Sequence, residues 1–180
     1  MSRKSGAGDM GQAIIIMGVC GTGKTTVGEA LAERLGCSFL EGDSFHPPEN
    51  VAKMRAGNPL NDEDRWPWLD DLGMAIAVEA EKTDPVIATC SALKRSYRDC
   101  LRNAIGGDVL FVLLHGERDL LLERLLERSH RYMPSSLLDS QLETLELPET
   151  DETSLSINVE AALPDVVQTI ERDLRARPGR

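Results

Sequence analysis

The sequence predicts a single α/β domain built on a five-stranded parallel sheet flanked by helices. Five short apolar runs alternate with longer segments of helical pattern, and a glycine-rich motif joins the first run to the first helix. Continuous runs of Ile, Val and Leu are typical of strands buried on both faces, as in a parallel sheet. The segments between the runs are too long for hairpin turns and long enough for crossover helices. A chain of 180 residues suits one such domain with a sizeable core.

The apolar runs give the predicted strands in order along the chain. They are residues 13–18, 38–43, 85–92, 109–116 and 155–160. Helical patterns cover residues 25–35 and 117–128, and a third helix is predicted to begin after Asn61, which three acidic residues follow as in a capped first turn. We expect a flexible tail over residues 1–12, one domain over 13–174 and a loose tail over 175–180.

Composition and charge exclude several classes of protein. The net charge of −10 argues against general nucleic-acid binding. The longest apolar runs, AIIIMGVC and VLFVLL, are too short to cross a membrane, and the N-terminal segment lacks the apolar core of a secretory signal. Four cysteines without CxxC or Cys/His spacing indicate reduced thiols in a cytoplasmic protein: Cys20, Cys37, Cys90 and Cys100.

The motif GVCGTGKT, residues 18–25, predicts a nucleoside-triphosphate site because it matches G-x-x-x-x-G-K-[ST] between a strand and a helix. Its glycines let successive backbone N–H groups surround phosphate oxygens, and the following helix directs its N-terminal dipole at the same anion. Lys24 is expected to reach the β- and γ-phosphates, and the Thr25 hydroxyl to bind Mg²⁺. The predicted ATP contacts here are Gly18, Val19, Cys20, Gly21, Thr22, Gly23, Lys24, Thr25 and Thr26.

The rest of the chain excludes the best-known classes with this motif. It contains no guanine-specifying N/T-K-x-D and no LSGGQ-like signature, and the DDLG at residues 70–73 falls inside a predicted helix. Neither 85–92 nor 109–116 ends in the acidic residue of a usual metal-binding strand. The nearest candidate for a carboxylate on the metal side is therefore Asp43.

Asp43 ends the second predicted strand, and ligands of open α/β sheets collect beyond the carboxyl ends of the strands. Asp43 could thus face the γ-phosphate and take a proton from an attacking hydroxyl; the alternative is a turn or cap. His46, before two prolines, could contact substrate or simply form a turn. Trp66 and Trp68 are interpreted as core anchors rather than ligand platforms.

Four segments together resemble the gluconokinase family of small phosphate-loop sugar-acid kinases. They are MGVCGTGKTT, EGDSFHPPENVAKMRAGNPLNDEDRWPWL, CSALKRSYRDCLR and RLLERSHRYMPSSLLDSQLETLELP. The resemblance implies a fold of the shikimate and nucleoside-monophosphate kinase type with a substrate lobe over residues 44–82 and a lid over 124–140. It implies ATP- and Mg²⁺-dependent phosphorylation of D-gluconate on its 6-hydroxyl, in gluconate catabolism, by a cytoplasmic homodimer.

The resemblance also implies roles for individual residues. Asp43 would orient and deprotonate the 6-hydroxyl, with Lys24 and Arg128 as the catalytic cations. Arg124 would lie near the adenine, and Arg128 or Arg131 would cover the phosphates. The implied substrate contacts are Asp43, His46, Lys53, Arg65, Lys94, Arg98 and Gln141.

Three positions depart from the family pattern. Cys20 stands where the family usually has Ser, in a loop whose backbone matters more than this side chain. Glu41 replaces a common Asp, so a metal-binding role is not carried over to it. In the lid, His130 and Arg131 occupy the usual Gly and His positions.

The residues themselves leave alternatives open. Lys94, Arg95 and Arg98 are also compatible with a solvated helix start, and Arg124 and Arg128 with a surface helix that Glu127 neutralises. Two other functions fit the motifs: a kinase of the same fold acting on shikimate, a nucleotide or another aldonic acid, and a nucleotide-sensing module without catalysis.

Overall fold

The computed structural model describes residues 12–128 and 135–177, with only the backbone described for Arg128 and Ser135. Five parallel strands form one sheet in the order β2-β3-β1-β4-β5. The strands are β1 Ala13–Met17, β2 Ser38–Leu40, β3 Val86–Thr89, β4 Val109–His115 and β5 Ser154–Asn158. The helices are α1 Lys24–Leu35, α2 Pro48–Arg55, α3 Asp62–Ala80, α4 Arg95–Ile105, α5 Arg118–Arg128, α6 Ser135–Thr144 and α7 Leu163–Ala176. The predicted five-stranded parallel α/β fold is confirmed.

The sheet is covered on both faces, which explains the continuous apolar strands. Alternate β1 side chains enter different cores: Ile14 and Ile16 pack with α1 and α7, whereas Ile15 and Met17 pack with α3 and α4. All five residues of β1 are buried. Because neither face meets water, β1 shows no alternation of polar and apolar residues.

The predicted helix start at Asn61 is confirmed in detail. The Asn61 side chain accepts a hydrogen bond from the Asp64 N–H at 2.8 Å, and the Asp64 carboxylate accepts one from the Asn61 N–H at 2.8 Å. This reciprocal capping box satisfies donors that the first turn of a helix leaves unpaired. It sets the point at which the chain enters α3.

The strand and helix boundaries differ from the predictions by up to three residues, and three of the differences bear on the site or the domain ends. β2 ends at Leu40 because Gly42–Phe45 form a turn of 3₁₀ helix, so Asp43 follows the strand rather than ending it. α1 begins at Lys24, one residue earlier than expected. α7 continues to Ala176, beyond the expected domain end at residue 174. The segments 1–11, 129–134 and 178–180 lie outside the described residues.

Among the helices of the described chain, none is long and apolar enough to span a membrane.

Candidate active site

The candidate site lies at the edge of the sheet where the parallel strands end. The glycine-rich loop follows β1, the 3₁₀ turn Gly42–Phe45 follows β2, and residues 90–94 follow β3. β3 lies between β1 and β2 in the sheet, so these three segments are neighbours in space. This is the edge at which open α/β sheets bind ligands.

The glycine-rich loop has the curled backbone that its sequence predicts. Gly21 has a φ of 83°, and a Cβ atom there would lie 2.6 Å from the Leu121 carbonyl oxygen, so the position requires glycine. The Thr22 hydroxyl donates to the Val19 carbonyl at 2.8 Å. Gly23 caps α1 without a side-chain hydrogen bond, and the N-terminus of such a helix favours an anion.

Lys24 lies across this loop, and its ammonium donates to the Val19 carbonyl at 3.1 Å. Burial lowers the pKa of Lys24, and the negative charge of Asp43 partly offsets that effect. The ammonium is therefore partly stripped of water and lies within electrostatic range of Asp43. A phosphate group would compensate that lost hydration.

Glu41 connects the loop to the next two strands. One carboxylate oxygen accepts from the Thr25 hydroxyl at 2.6 Å, and the other accepts from the Thr89 hydroxyl at 2.5 Å. Among the described residues, Glu41 is thus the carboxylate in contact with the predicted metal ligand Thr25. The sequence did not predict this contact of Glu41, and the assignment of Asp43 to the metal side stays a prediction.

Gly42 brings the 3₁₀ turn unusually close to β3. Its N–H donates to the Thr89 hydroxyl at 3.0 Å, and its carbonyl accepts from the Trp68 indole N–H at 2.8 Å. A Cβ atom at Gly42 would lie 1.9 Å from the Thr89 carbonyl oxygen. Only glycine fits there. The backbone next to Asp43 is therefore fixed by hydrogen bonds to Thr89 on one side and Trp68 on the other.

The Asp43 side chain is open to solvent, whereas its neighbour His46 is not. Their side chains are 82% and 6% exposed, and the His46 Nε2 lies 4.0 Å from an Asp43 carboxylate oxygen. The His46 ring stacks on Trp68 with ring centroids 4.0 Å apart. Burial lowers the pKa of His46, so its imidazole is neutral at pH 7. Trp68, 2% exposed, is the core anchor that the sequence predicted.

The other cations of the predicted substrate lobe differ in their partners. Lys53 binds Asp64 at 2.5 Å, and Lys94 binds Asp62 at 2.9 Å. Arg65 instead donates to the Leu60 carbonyl and lies 3.5 Å from the Tyr97 hydroxyl. No carboxylate pairs with Arg65 within residues 12–128 and 135–177.

The expected substrate role of Arg98 is revised by its position. Its side chain is 0% exposed and forms a bidentate pair with Glu152, at 2.6 and 2.9 Å. Its remaining nitrogen donates to backbone carbonyls of Ala92, Leu93 and Glu146. These contacts occupy the guanidinium inside the protein and clamp residues 146–152 onto the segment after β3. The nearby Arg95 pairs with Glu149 and Asp151 rather than facing the site.

The Gln141 side chain contacts the glycine-rich loop, because its oxygen accepts from the Cys20 N–H at 2.7 Å. Hydrophobic neighbours on α6 hold the helix against the core, with Leu138 0% exposed. The sequence did not predict this loop contact, and the expected contact of Gln141 with sugar hydroxyls stays a prediction.

Of the two predicted ATP contacts beyond the loop, the structure describes the side chain of Arg124 but not that of Arg128. Arg124, on α5, donates to the Val159 carbonyl at 2.7 Å and so lies beside the end of β5. Arg128 is the last residue of α5 and its side chain is outside the described part, as are His130 and Arg131.

Sequence reasoning missed three contributors to the site. Thr89 joins Glu41 and Gly42 through one hydroxyl, Tyr97 donates to Asp62 at 2.5 Å, and Asp62 holds Lys94. The position of Thr89 at the end of a buried strand was the available signal. Asp62 was read only as a first-turn acid, because the sequence does not show that α3 and α4 pack together.

Comparison with known proteins identifies the family. The shikimate kinase family model matches residues 20–173. The Gluconobacter oxydans gluconokinase is 47% identical over 86% of this chain and 85% of its own length. The probable gluconokinase of Xenopus tropicalis is 43% identical over 89% of this chain and 92% of its own.

A solved structure agrees with the sequence relatives. The crystal structure of a gluconokinase from Sinorhizobium meliloti 1021 aligns with a TM-score of 0.80 at 44% identity, covering 95% of this chain and 99% of the other. With a phosphate loop, a five-stranded parallel sheet and relatives at this level of identity over most of their length, the chain belongs to the gluconokinase family, on a fold of the shikimate kinase type.

Proposed function

We propose that this protein transfers the γ-phosphoryl group of ATP to the 6-hydroxyl of D-gluconate, giving 6-phospho-D-gluconate and ADP. The observation that carries the proposal is the position of Asp43. Its solvent-open carboxylate stands between the phosphate-loop lysine, whose pKa it influences, and the lobe that contains His46 and Arg65. Such a carboxylate is suited to take a proton from a hydroxyl placed beside a γ-phosphate.

The ATP side rests on the loop and on α5. Backbone N–H groups of the loop and of the first turn of α1 would hold the phosphates, with Lys24 at the β- and γ-phosphates. Arg124, beside the end of β5, would border the adenine. Arg128 would complete the cationic surface over the transferred phosphoryl group.

The oxygen-rich cluster at Glu41 fits a magnesium ion. Thr25 and Glu41 place a hydroxyl and a carboxylate in contact, and Mg²⁺ prefers one or two such oxygens together with substrate phosphates and water. No group of three or more acidic, His or Cys side chains suited to a metal is present in the described chain. Bound there, Mg²⁺ would neutralise charge on the β- and γ-phosphates.

The acceptor side needs a cation for the carboxylate of gluconate. Arg65 is the best candidate among the predicted substrate cations, because Lys53 and Lys94 already bind aspartates and Arg98 is enclosed. A guanidinium binds a carboxylate in a bidentate manner, which sets the orientation of the ligand as well as its charge. Lys53, Lys94 and His46 would then contact hydroxyl groups along the sugar acid.

The reaction follows from this placement. A lone pair of the 6-oxygen forms the new bond to the γ-phosphorus, and its proton passes to Asp43. The bond between the γ-phosphorus and the bridging oxygen breaks, and its electron pair leaves with ADP. Lys24 and Arg128 would stabilise the charge that develops on the phosphoryl oxygens. His46, neutral and 4.0 Å from Asp43, would border the same hydroxyl group of the acceptor.

Three further properties belong to the proposal. Residues 124–140 would act as a lid that excludes water from the transfer, since hydrolysis of ATP is the competing reaction. The four free cysteines suit a reducing, cytoplasmic compartment. A homodimer follows from the family resemblance, and light scattering after size-exclusion chromatography measures it.

An acceptor panel tests the proposal. ADP release is measured with ATP and Mg²⁺ in the presence of D-gluconate, shikimate, AMP, D-glycerate or no acceptor, and the product is identified by ³¹P NMR. Turnover with D-gluconate well above every other acceptor, with phosphate on the 6-oxygen, is the expected result. Preference for another acceptor would refute the substrate but keep the phosphate chemistry. Nucleotide binding without turnover on any acceptor would instead indicate a sensor.

A further inference from the structure

The glycine-rich loop, residues 18–25, is hydrogen-bonded to a side chain of α6, Gln141. Val19 and Cys20 share one peptide bond, and every polar atom of that bond is occupied. The Val19 carbonyl accepts from the Thr22 hydroxyl at 2.8 Å and from the Lys24 ammonium at 3.1 Å. The Cys20 N–H donates to the Gln141 side-chain oxygen at 2.7 Å.

A peptide unit is planar, so its N–H and C=O groups cannot turn independently. The hydrogen bond from Cys20 to Gln141 therefore sets the direction of the Val19 carbonyl as well. Within the described part of the chain, that carbonyl accepts a hydrogen bond from the Lys24 ammonium. The orientation of one side chain on α6 is thus transmitted to the lysine expected at the β- and γ-phosphates.

The face of α6 that carries Gln141 packs against the core. Leu138 and Gln141 are three residues apart on that face, and Leu145 directly follows the helix. Leu138 is fully buried, and Leu145 packs against the core that Cys20 also joins. Beyond the helix, the Glu146 N–H donates to the Leu93 carbonyl at 2.8 Å, which ties the end of α6 to the segment after β3.

We propose that Gln141 is a positioning residue that orients the Val19–Cys20 peptide, and through it Lys24, for nucleotide binding. It acts without touching the sugar acid. The inference rests on the phosphate-loop part of the proposed function and does not depend on which acceptor is used. It also gives a reason for a neutral amide at this position: a carboxylate would accept the same hydrogen bond but would add a negative charge beside the triphosphate.

Substitution of Gln141 by Met tests the role, because Met keeps most of the side-chain volume and removes the strong acceptor. The dissociation constant of ADP, measured by calorimetry, and the KM for ATP should each rise about three- to tenfold, the scale of one lost hydrogen bond. The KM for D-gluconate should stay within about twofold. Thr144→Val is the control, because it removes one side-chain hydrogen bond of the same helix outside the proposed lid, from the Thr144 hydroxyl to the Ser140 carbonyl at 2.7 Å, and it should change none of these values.

Two results would overturn the proposal. A raised KM for D-gluconate with unchanged ADP affinity would make Gln141 a sugar contact. Unchanged ADP affinity and unchanged kinetics in Gln141→Met would show that Gln141 only packs against its neighbours.

If Gln141→Met does not fold, Gln141→Asn is the second variant. It retains the amide but shortens the reach by one methylene, and it should weaken ADP binding in the same way. Because ADP binding needs no acceptor, this test stands even if D-gluconate proves not to be the substrate.

Discussion

At the scale of the residue, a basic side chain of this acidic protein can bind an anionic ligand only if no carboxylate of the protein already pairs with it. The chain carries a net charge of −10 and must bind two anions. Three of the four predicted substrate cations are already paired with acids: Lys53 with Asp64, Lys94 with Asp62 and Arg98 with Glu152. Such pairs neutralise charge before any ligand arrives. The fourth, Arg65, has no such partner in the described chain, so its charge is available to the carboxylate of a ligand.

Replacing Arg65 by Gln should therefore raise the KM for D-gluconate roughly tenfold to a hundredfold, because a charged hydrogen-bonded contact with the carboxylate is lost. The KM for ATP should be unchanged. Steady-state kinetics with each substrate varied in turn measure both values. Arg55→Gln is the control, as an exposed arginine of the neighbouring α2. Equal kinetics in the two variants would remove Arg65 from substrate recognition.

At the scale of the element, the 3₁₀ turn after β2 sets the position of Asp43, the proposed catalytic carboxylate. Gly42 touches Thr89 and Trp68, from β3 and α3, so the turn is held between the sheet and the substrate lobe. Asp43 and His46 extend from this support. The arrangement depends on a missing Cβ atom, since one at Gly42 would lie 1.9 Å from the Thr89 carbonyl oxygen.

Gly42→Ala should consequently lower turnover as well as stability, because the turn must move to relieve the overlap and Asp43 moves with it. Gly36→Ala is the matched control. Gly36 caps the end of α1 with a φ of 67° and has open space around its Cβ position, so Ala strains the backbone there without displacing Asp43. Thermal melts and kinetics should show both variants destabilised but only Gly42→Ala slowed. Full turnover in Gly42→Ala would contradict the positioning role of the turn.

At the scale of the whole molecule, a buried ion pair joins the last third of the chain to the active-site edge. Arg98 and Glu152 have side chains only 0% and 1% exposed, and the same arginine binds three backbone carbonyls. Removing one partner would leave the other charge buried and unpaired, which is costly. The pair therefore acts as a clamp on residues 146–152.

Arg98→Met should reduce the free energy of unfolding by about 3–5 kcal/mol, the usual cost of an orphaned buried charge. Adding Glu152→Leu should recover part of the loss, because the orphaned charge is removed. Chemical denaturation measures both variants. Arg95→Met is the comparison, since its pairs with Glu149 and Asp151 are largely exposed and should matter far less. A loss in Arg98→Met no larger than that in Arg95→Met would contradict the clamp.

The sequence predicted the sheet and the phosphate loop well because both follow from local patterns. Buried strands such as Ala13–Met17 appear as apolar runs, and the loop motif requires its glycines for backbone reasons. The burial of Arg98 and the loop contact of Gln141 could not be predicted, because their partners, Glu152 and Cys20, lie 54 and 121 residues away. A motif shows which residue types are present, but only the packing of α4 and α6 decides where those side chains point.

The central claim is that Asp43 receives the proton of the attacking hydroxyl, and Asp43→Asn tests it most directly. The variant should keep the wild-type ADP affinity in calorimetry and lose roughly a hundredfold or more of its turnover with D-gluconate, the usual scale for removing a general base. Asp71→Asn, an exposed aspartate of α3 with the same change in charge, should remain fully active. Turnover of Asp43→Asn close to that of Asp71→Asn would contradict the account, because the proton would then have to leave by another route.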